Sequence, residues 1–145
     1  MRDLPRQLSV DELAELFEGR TRLVERLAET HDPLGRPEAV IAGLTESEKI
    51  EAIDAHPAIG ARRLFGWSAR EQGEEAEPEV AAELGRLNRA YEEKFGFRFV
   101  VFVDRRPRAD LVPILRERLA RTREEELTTG LEELVAIARD RWRQG

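Results

Sequence analysis

The chain has 145 residues, 41% apolar and 37% charged, with 24 basic residues against 30 acidic ones and a net charge of -6. That length suits one domain with a real core, the acidic balance argues against generic nucleic-acid binding, and the absence of cysteine removes disulfides and thiol chemistry. No stretch approaches the roughly 20 apolar residues of a membrane span, and the opening Met1-Arg2-Asp3-Leu4-Pro5 lacks the apolar run of a signal peptide, so a cytoplasmic, globular protein is expected.

Most of the sequence reads as helix. Ser9 with Glu12 makes a capping box, after which Leu13, Leu16 and Phe17 share a face. Gly19 interrupts, and Leu23, Val24 and Leu27 resume the apolar stripe. Thr30 to Pro37 is turn-rich and reads as a loop. Thr45 with Glu48 repeats the capping box and opens a helix carrying Ile50 and Ile53. That helix should stop near Ala55, because the steric demand of Pro57 pushes the residue before it out of the α region. Residues 57 to 67 read as a loop with a buried apolar part (Ile59, Leu64, Phe65, Trp67).

Pro78 suits a first helical turn; Val80, Leu84, Leu87 and Tyr91 mark a long helix ending at Gly96. Phe97 to Val103 is rich in β-branched and aromatic residues and taken alone reads as a strand. With no second strand to pair with, an extended segment or a short buried helix start stands equally beside it. Asp110 is expected to cap another helix, with Pro113 in its first turn and Leu115 and Leu119 along it. Thr122 with Glu125 gives one more capping box, and Leu127, Leu131, Leu134 and Ile137 form a closing apolar face up to Trp142. The expected fold class is all-α: one domain over residues 1–145, a bundle of about seven to nine helices.

Two histidines are the sparse chemistry in this arginine-rich chain. His56 follows the helix expected to end at Ala55. The partial negative charge at a helix C-terminus favours an imidazolium, which suits a general acid near neutral pH. The plainer reading is that His56 caps that helix end or packs against Trp67. His31, beside Asp32 and Pro33, lies in a loop and carries no evident role. Ser68 and Glu71 form a Ser-x-x-Glu capping box, so a cap is favoured over a substrate contact. A helix N-terminus is also an anion site, and Gln72 offers both a donor and an acceptor. No metal-ligand spacing, nucleophile elbow or phosphate loop is present.

Three motifs, taken together and in order, carry a resemblance. His56-Pro57-x-Ile59-Gly60 is followed by Ser68-x-x-Glu71-Gln72, and then by Leu87-Asn88-x-x-Tyr91-x-x-Lys94-Phe95-Gly96-Phe97-x-Phe99. The tail continues with Ile114-Leu115-x-x-Arg118-Leu119, Glu132, Ile137 and Arg141. Over about residues 9 to 143 the chain resembles the OHCU decarboxylase family, whose members decarboxylate 2-oxo-4-hydroxy-4-carboxy-5-ureidoimidazoline to (S)-allantoin in urate degradation.

The resemblance implies an all-α homodimer acting on a small-molecule substrate, with no metal and no organic cofactor. It implies His56 and Glu71 as catalytic residues. Pro57, Ser68 and Gln72 would contact substrate, and Phe95, Gly96, Phe97 and Phe99 would wall the pocket, with their backbone binding the ring. Two departures stand out. Arg98 occupies a place where many members have proline, and Asp104 falls where many have a substrate-binding arginine; either the register shifts by one and Arg105 takes that part, or the contact is missing. Other readings are a relative acting on a different ureido or imidazoline compound, and a non-catalytic helical dimerisation module.

Overall fold

The computed structural model describes residues 7–56 and 78–144, which form seven α-helices, one 3-10 turn and no strand: α1 Val10–Phe17, α2 Arg22–Leu27, α3 Glu38–Ala42, α4 Glu46–Asp54, α5 Pro78–Phe95, the 3-10 turn Arg108–Asp110, α6 Leu111–Leu119 and α7 Arg123–Gln144. An all-α fold is the architecture that the sequence periodicity requires. Among the described residues no helix is long and apolar enough to cross a membrane.

The capping chemistry places three helix starts where the sequence puts them. Ser9 accepts from the Glu12 amide while Glu12 accepts from the Ser9 amide, both at 3.1 Å. Thr45 and Glu48 repeat the exchange at 3.2 and 2.9 Å, and Thr122 and Glu125 do so at 3.1 and 3.0 Å. Each box satisfies two amides that the first turn leaves without intrahelical partners. Two starts differ from expectation. Thr21, not singled out from the sequence, caps α2 through its hydroxyl, and the Glu51 carboxylate reaches across from α4 to accept from the Arg22 amide. Asp110 makes no side-chain cap for α6: it ends a 3-10 turn with helical backbone angles, not the extended ones that a capping residue adopts. The short helix α3 has five residues, none fully buried, with Val40 and Ile41 packed against the core, and so short a pattern does not stand out from a loop.

The closing helix α7 is the spine. Leu127, Leu131, Leu134, Ile137, Ala138 and Trp142 are all buried along one face, and α1 and α4 pack on it. At the α4 crossing, a Cβ placed on Gly130 would stand 3.0 Å from the Ile53 side chain, so the missing side chain lets the two helices approach. Helices α5 and α6 pack on each other and bring Leu84, Tyr91, Phe95, Leu111 and Leu115 into the same core.

Between them runs the segment that reads as a strand. Phe97, Phe99, Val100, Val101 and Val103 are buried, and the backbone there is neither helix nor strand. Buried backbone groups still need hydrogen bonds, and here side chains from the helices and from Arg106 just beyond the segment supply them. The carbonyl of Phe95, where α5 ends, accepts from Arg123 Nε at 2.9 Å; within the segment the Val100 carbonyl accepts from Arg118 Nη1 at 2.5 Å and the Val103 carbonyl from Arg106 Nε at 2.9 Å. The Arg98 amide donates to Asp54 at 3.0 Å and the Phe102 amide to Glu133 at 3.4 Å. Arginine and carboxylate side chains thus do the work of a neighbouring strand.

Gly96 turns the chain from α5 into this segment with φ 81°, a left-handed conformation that L side chains enter only at a cost. No atom lies within 4 Å of where a Cβ would stand, so the backbone angle alone is at stake. Gly96→Ala is expected to lower stability by about 1 kcal/mol, read as a lower denaturant midpoint with an unchanged slope.

Candidate active site

His56 stands just past the end of α4, as the sequence places it. Asp54 is the last helical residue and Ala55 the C-cap, and the His56 amide donates back to the Ile53 carbonyl at 3.1 Å. Its side chain is buried, and Nδ1 has no hydrogen-bond partner among the described residues. A buried polar atom left without a partner is unusual enough to need a reason.

The expectation of a resting imidazolium is overturned. Burial first, and then the guanidinium charges of Arg141 and Arg98, push the His56 pKa down from 6.5 to about 3. The negative end of α4 is outweighed because desolvation penalises the charged ring directly, while the helix end is already engaged by Arg98. At neutral pH the ring is therefore neutral.

The consequence for stability has a definite sign. The folded-state pKa lies below the unfolded one, so between about pH 6.5 and 3 the unfolded chain binds the extra proton and stability falls as pH falls. His56→Gln is expected to flatten the acid limb of the stability curve within that window, by up to about 1.4 kcal/mol per pH unit where the two states differ by a full proton. Denaturant midpoints of both proteins from pH 7 to 4 check this.

Two arginines define the surroundings of His56. Arg141, on α7, is fully buried; it donates from Nη1 to the Leu16 carbonyl at 2.6 Å and pairs with Glu18 at 3.0 Å. These two partners sit at the C-terminal end of α1, where Glu18 adopts a left-handed φ of 59°. Arg98 donates from Nη1 to the carbonyls of Asp54 at 2.9 Å and His56 at 3.0 Å. Both guanidinium groups oppose protonation of the imidazole, and each has carboxylates at hand: Glu18 beside Arg141, and Glu92 and Asp54 beside Arg98.

The Phe95–Phe99 segment abuts this end of α4 through the Arg98 contacts. Its three rings are in the core: Phe95 and Phe99 lie 4.6 and 5.3 Å from the Tyr91 ring, centroid to centroid, and Phe97 lies 6.0 Å from Phe95. Arg118 covers the Phe99 ring at 4.5 Å and Arg123 the Phe97 ring at 5.5 Å. With the rings committed to packing, the groups this segment can offer a ligand are its backbone and the exposed Gly96 position.

Beneath it lies a buried charged network that sequence reasoning missed. Glu126 is completely buried and accepts from the Tyr91 hydroxyl and Arg118 Nε, each at 2.7 Å, and from Arg121 Nη1 at 2.9 Å. Burial, and then the hydrogen bond to Glu126, hold the Tyr91 hydroxyl well above the usual phenol range, so Tyr91 is a fixed donor and not a proton carrier. Tyr91 and Arg118 stand in the family-like motifs; Glu126 is one of three consecutive glutamates, and nothing in the pattern singles it out.

Pro57, Ser68, Glu71 and Gln72 lie outside the described residues. Arg105 stands on an exposed turn, where it and Asp104 have φ of 58° and 50°; the cations that act on His56 are Arg98 and Arg141. His31 is exposed. Among the described residues no three His, Asp or Glu side chains are grouped so as to hold a metal ion.

Comparison with known proteins agrees with this architecture. The family model for OHCU decarboxylase matches residues 2–143. The chain is 27% identical over 138 residues to a uric acid degradation bifunctional protein of Bacillus sp. (strain TB-90), covering 87% of this chain and 27% of that protein. It is 27% identical over 146 residues to the uric acid degradation bifunctional protein PucL of Bacillus subtilis (strain 168), covering 93% of this chain and 30% of that one. It thus spans less than a third of the length of these curated relatives. Among solved structures it resembles an OHCU decarboxylase crystallised in the presence of (S)-allantoin, with a TM-score of 0.75, 21% identity, and 90% and 94% of the two chains covered. It also resembles an (S)-allantoin synthase, with a TM-score of 0.68 and 20% identity, over 91% of this chain and 47% of that one.

Proposed function

The chain belongs to the OHCU decarboxylase family, and from that premise we propose that it catalyses the carboxy-lyase step of urate degradation, converting 2-oxo-4-hydroxy-4-carboxy-5-ureidoimidazoline to (S)-allantoin as a homodimer in the cytoplasm. The observation that carries the reading is the buried His56, its Nδ1 without a partner among the described residues, held neutral beside two guanidinium groups. A non-catalytic helical module has no use for such a ring, which costs stability as pH falls.

The chemistry follows from the charge balance. The substrate brings a carboxylate towards a ring whose protonation Arg98 and Arg141 oppose. Its negative charge offsets Arg98 and Arg141 and raises the proton affinity of the imidazole, so a ring that is neutral at rest becomes able to hold a proton once substrate is bound. The bond between the ring carbon and the carboxylate carbon then breaks. Carbon dioxide leaves, and the electron pair delocalises into the adjacent unsaturated ring. A proton from His56 closes the reaction on one face, as a general acid. Delivery from a fixed side chain makes the product a single enantiomer.

Glu71 is proposed to orient the ureido and hydroxyl groups by accepting their hydrogen bonds, with Pro57, Ser68 and Gln72 completing the contacts. Backbone groups of residues 95 to 99 would hold the ring, and Arg105 would reach the carboxylate from its turn. The test is direct. Freshly generated substrate is supplied to the purified chain and (S)-allantoin is followed by circular dichroism. Accelerated appearance of one enantiomer supports the reading; the spontaneous rate and a racemic product overturn it. Sedimentation at twice the chain mass checks the dimer.

A further inference from the structure

We infer that Arg98 is a positioning residue, whose side chain ties the C-terminal end of the His56-bearing helix to the Phe95–Phe99 segment and thereby sets where the imidazole stands relative to that segment's backbone. The inference deepens the reading of His56 above and rests on it.

The tie is reciprocal. Arg98 Nη1 donates to the carbonyls of Asp54 and His56 at 2.9 and 3.0 Å, while the Arg98 amide donates to the Asp54 carboxylate at 3.0 Å. The side chain of each residue thus holds backbone of the other's segment. The carbonyls at a helix C-terminus are those that intrahelical geometry leaves without donors, and a guanidinium placed there also complements the helix dipole. One of the two carbonyls belongs to His56 itself, so the backbone that carries the ring is gripped on the side facing the loop. On its other edge Arg98 Nε lies 3.9 Å from Glu92 of α5. That brings the helix leading into the loop to the same point.

The hydrogen bonds that join residues 54–56 to residues 95–99 run through Arg98. Its side chain is 41% exposed, so its removal opens no buried hole and leaves the core rings on Tyr91 untouched. What it changes is the registration of two site segments, and a misplacement of about 1 Å can cost about a hundredfold in rate. Its charge acts in the same place: Arg98 from the loop and Arg141 from α7 are the two guanidinium groups that oppose protonation of His56.

The test compares Arg98→Met with Arg98→Lys in the full chain. The Met variant keeps the length but loses charge and donors; the Lys variant keeps the charge and donors. The Met variant is expected to lose about tenfold or more in kcat with KM within about threefold, while its helical circular dichroism and thermal midpoint stay near wild type. The Lys variant should recover much of kcat. A Met variant whose kcat per folded molecule equals wild type overturns the inference. Should the wild type itself fail to decarboxylate the ureidoimidazoline acid, the proposed function falls separately. The His56 ring protons, identified by NMR through their loss in His56→Gln, then decide. A titration midpoint moved to higher pH in the Met variant and retained in the Lys variant supports the role of Arg98; an unmoved midpoint in both overturns it.

Discussion

His56→Asn is expected to abolish the stereospecific acceleration of allantoin formation while leaving the helical fold intact. Removing a general acid typically costs about 10² to 10⁴ in rate, and the cost here should fall at the upper end, because no other titratable side chain among the described residues has a comparable setting. His56 is buried, yet Nδ1 engages nothing among those residues. The substitution keeps a polar side chain but removes the group that carries the proton. It also removes a group that destabilises the fold as pH falls below about 6.5, because the ring resists protonation down to about pH 3. Loss of activity should therefore come with equal or greater resistance to mild acid. The loss of kcat per folded molecule is what separates a chemical role from a packing role. If His56 served only as a cap or a core side chain, Asn would lower the thermal midpoint and leave kcat per folded molecule near wild type. Turnover is followed by circular dichroism of the product, and stability by denaturant midpoints between pH 7 and 4.

The parts of this molecule that could be read in advance are those governed by local rules. Ser9, Thr45 and Thr122 each stand three residues before a glutamate, and all three make reciprocal caps. The α7 stripe from Leu127 to Trp142 is buried as its period demands. The helix ahead of Pro57 stops where a residue preceding proline must leave the α region. The segment from Phe97 to Val103 shows where local rules end. Its composition suits a strand, but its backbone bonds Arg118, Asp54 and Glu133, which come from other parts of the chain, and Arg106 just beyond it. A strand-like composition records that a segment is extended and half-buried; it does not record what pairs with it.

The same limit applies to the site. The position of His56 was legible, being one of two histidines and next to a helix-ending proline. Its protonation state was not. The helix end on its own element favours an imidazolium, and the effects that win are burial and two guanidinium groups from residues 98 and 141. In a chain with almost all its basic residues as arginine, no spacing rule tells those two from the solvated remainder. Arg141 is completely buried and Arg98 half-exposed, a difference that only packing creates.

Glu126→Ala is expected to be among the most damaging single changes to stability, at about 3 to 5 kcal/mol. The carboxylate is completely buried and holds three donors: the Tyr91 hydroxyl, Arg118 and Arg121. Arg121 is about one-third exposed and can turn to water. Arg118 cannot, because its side chain is 7% exposed and one of its nitrogens, Nη2, already has no partner among the described residues. Without Glu126 it becomes a buried cation facing a cavity. The Phe99 ring 4.5 Å away and the Val100 carbonyl remain to it, and neither carries a compensating charge. Burying such a group unpaired costs far more than the ion pair itself contributes, since desolvation of both partners offsets much of their attraction. The isosteric Glu126→Gln keeps the volume and an acceptor for Tyr91 but loses the charge, so its cost should be intermediate. Tyr91→Phe removes one donor and leaves the ion pairs, at about 1 to 2 kcal/mol. Thermal midpoints shift by about 3 °C per kcal/mol for a chain of this size. Losses that decrease in the order Glu126→Ala, Glu126→Gln, Tyr91→Phe would show that the stranded charge on Arg118 accounts for most of the damage. A Gln variant as stable as wild type would show instead that the hydrogen bonds, and not the charge, hold this end of the molecule together.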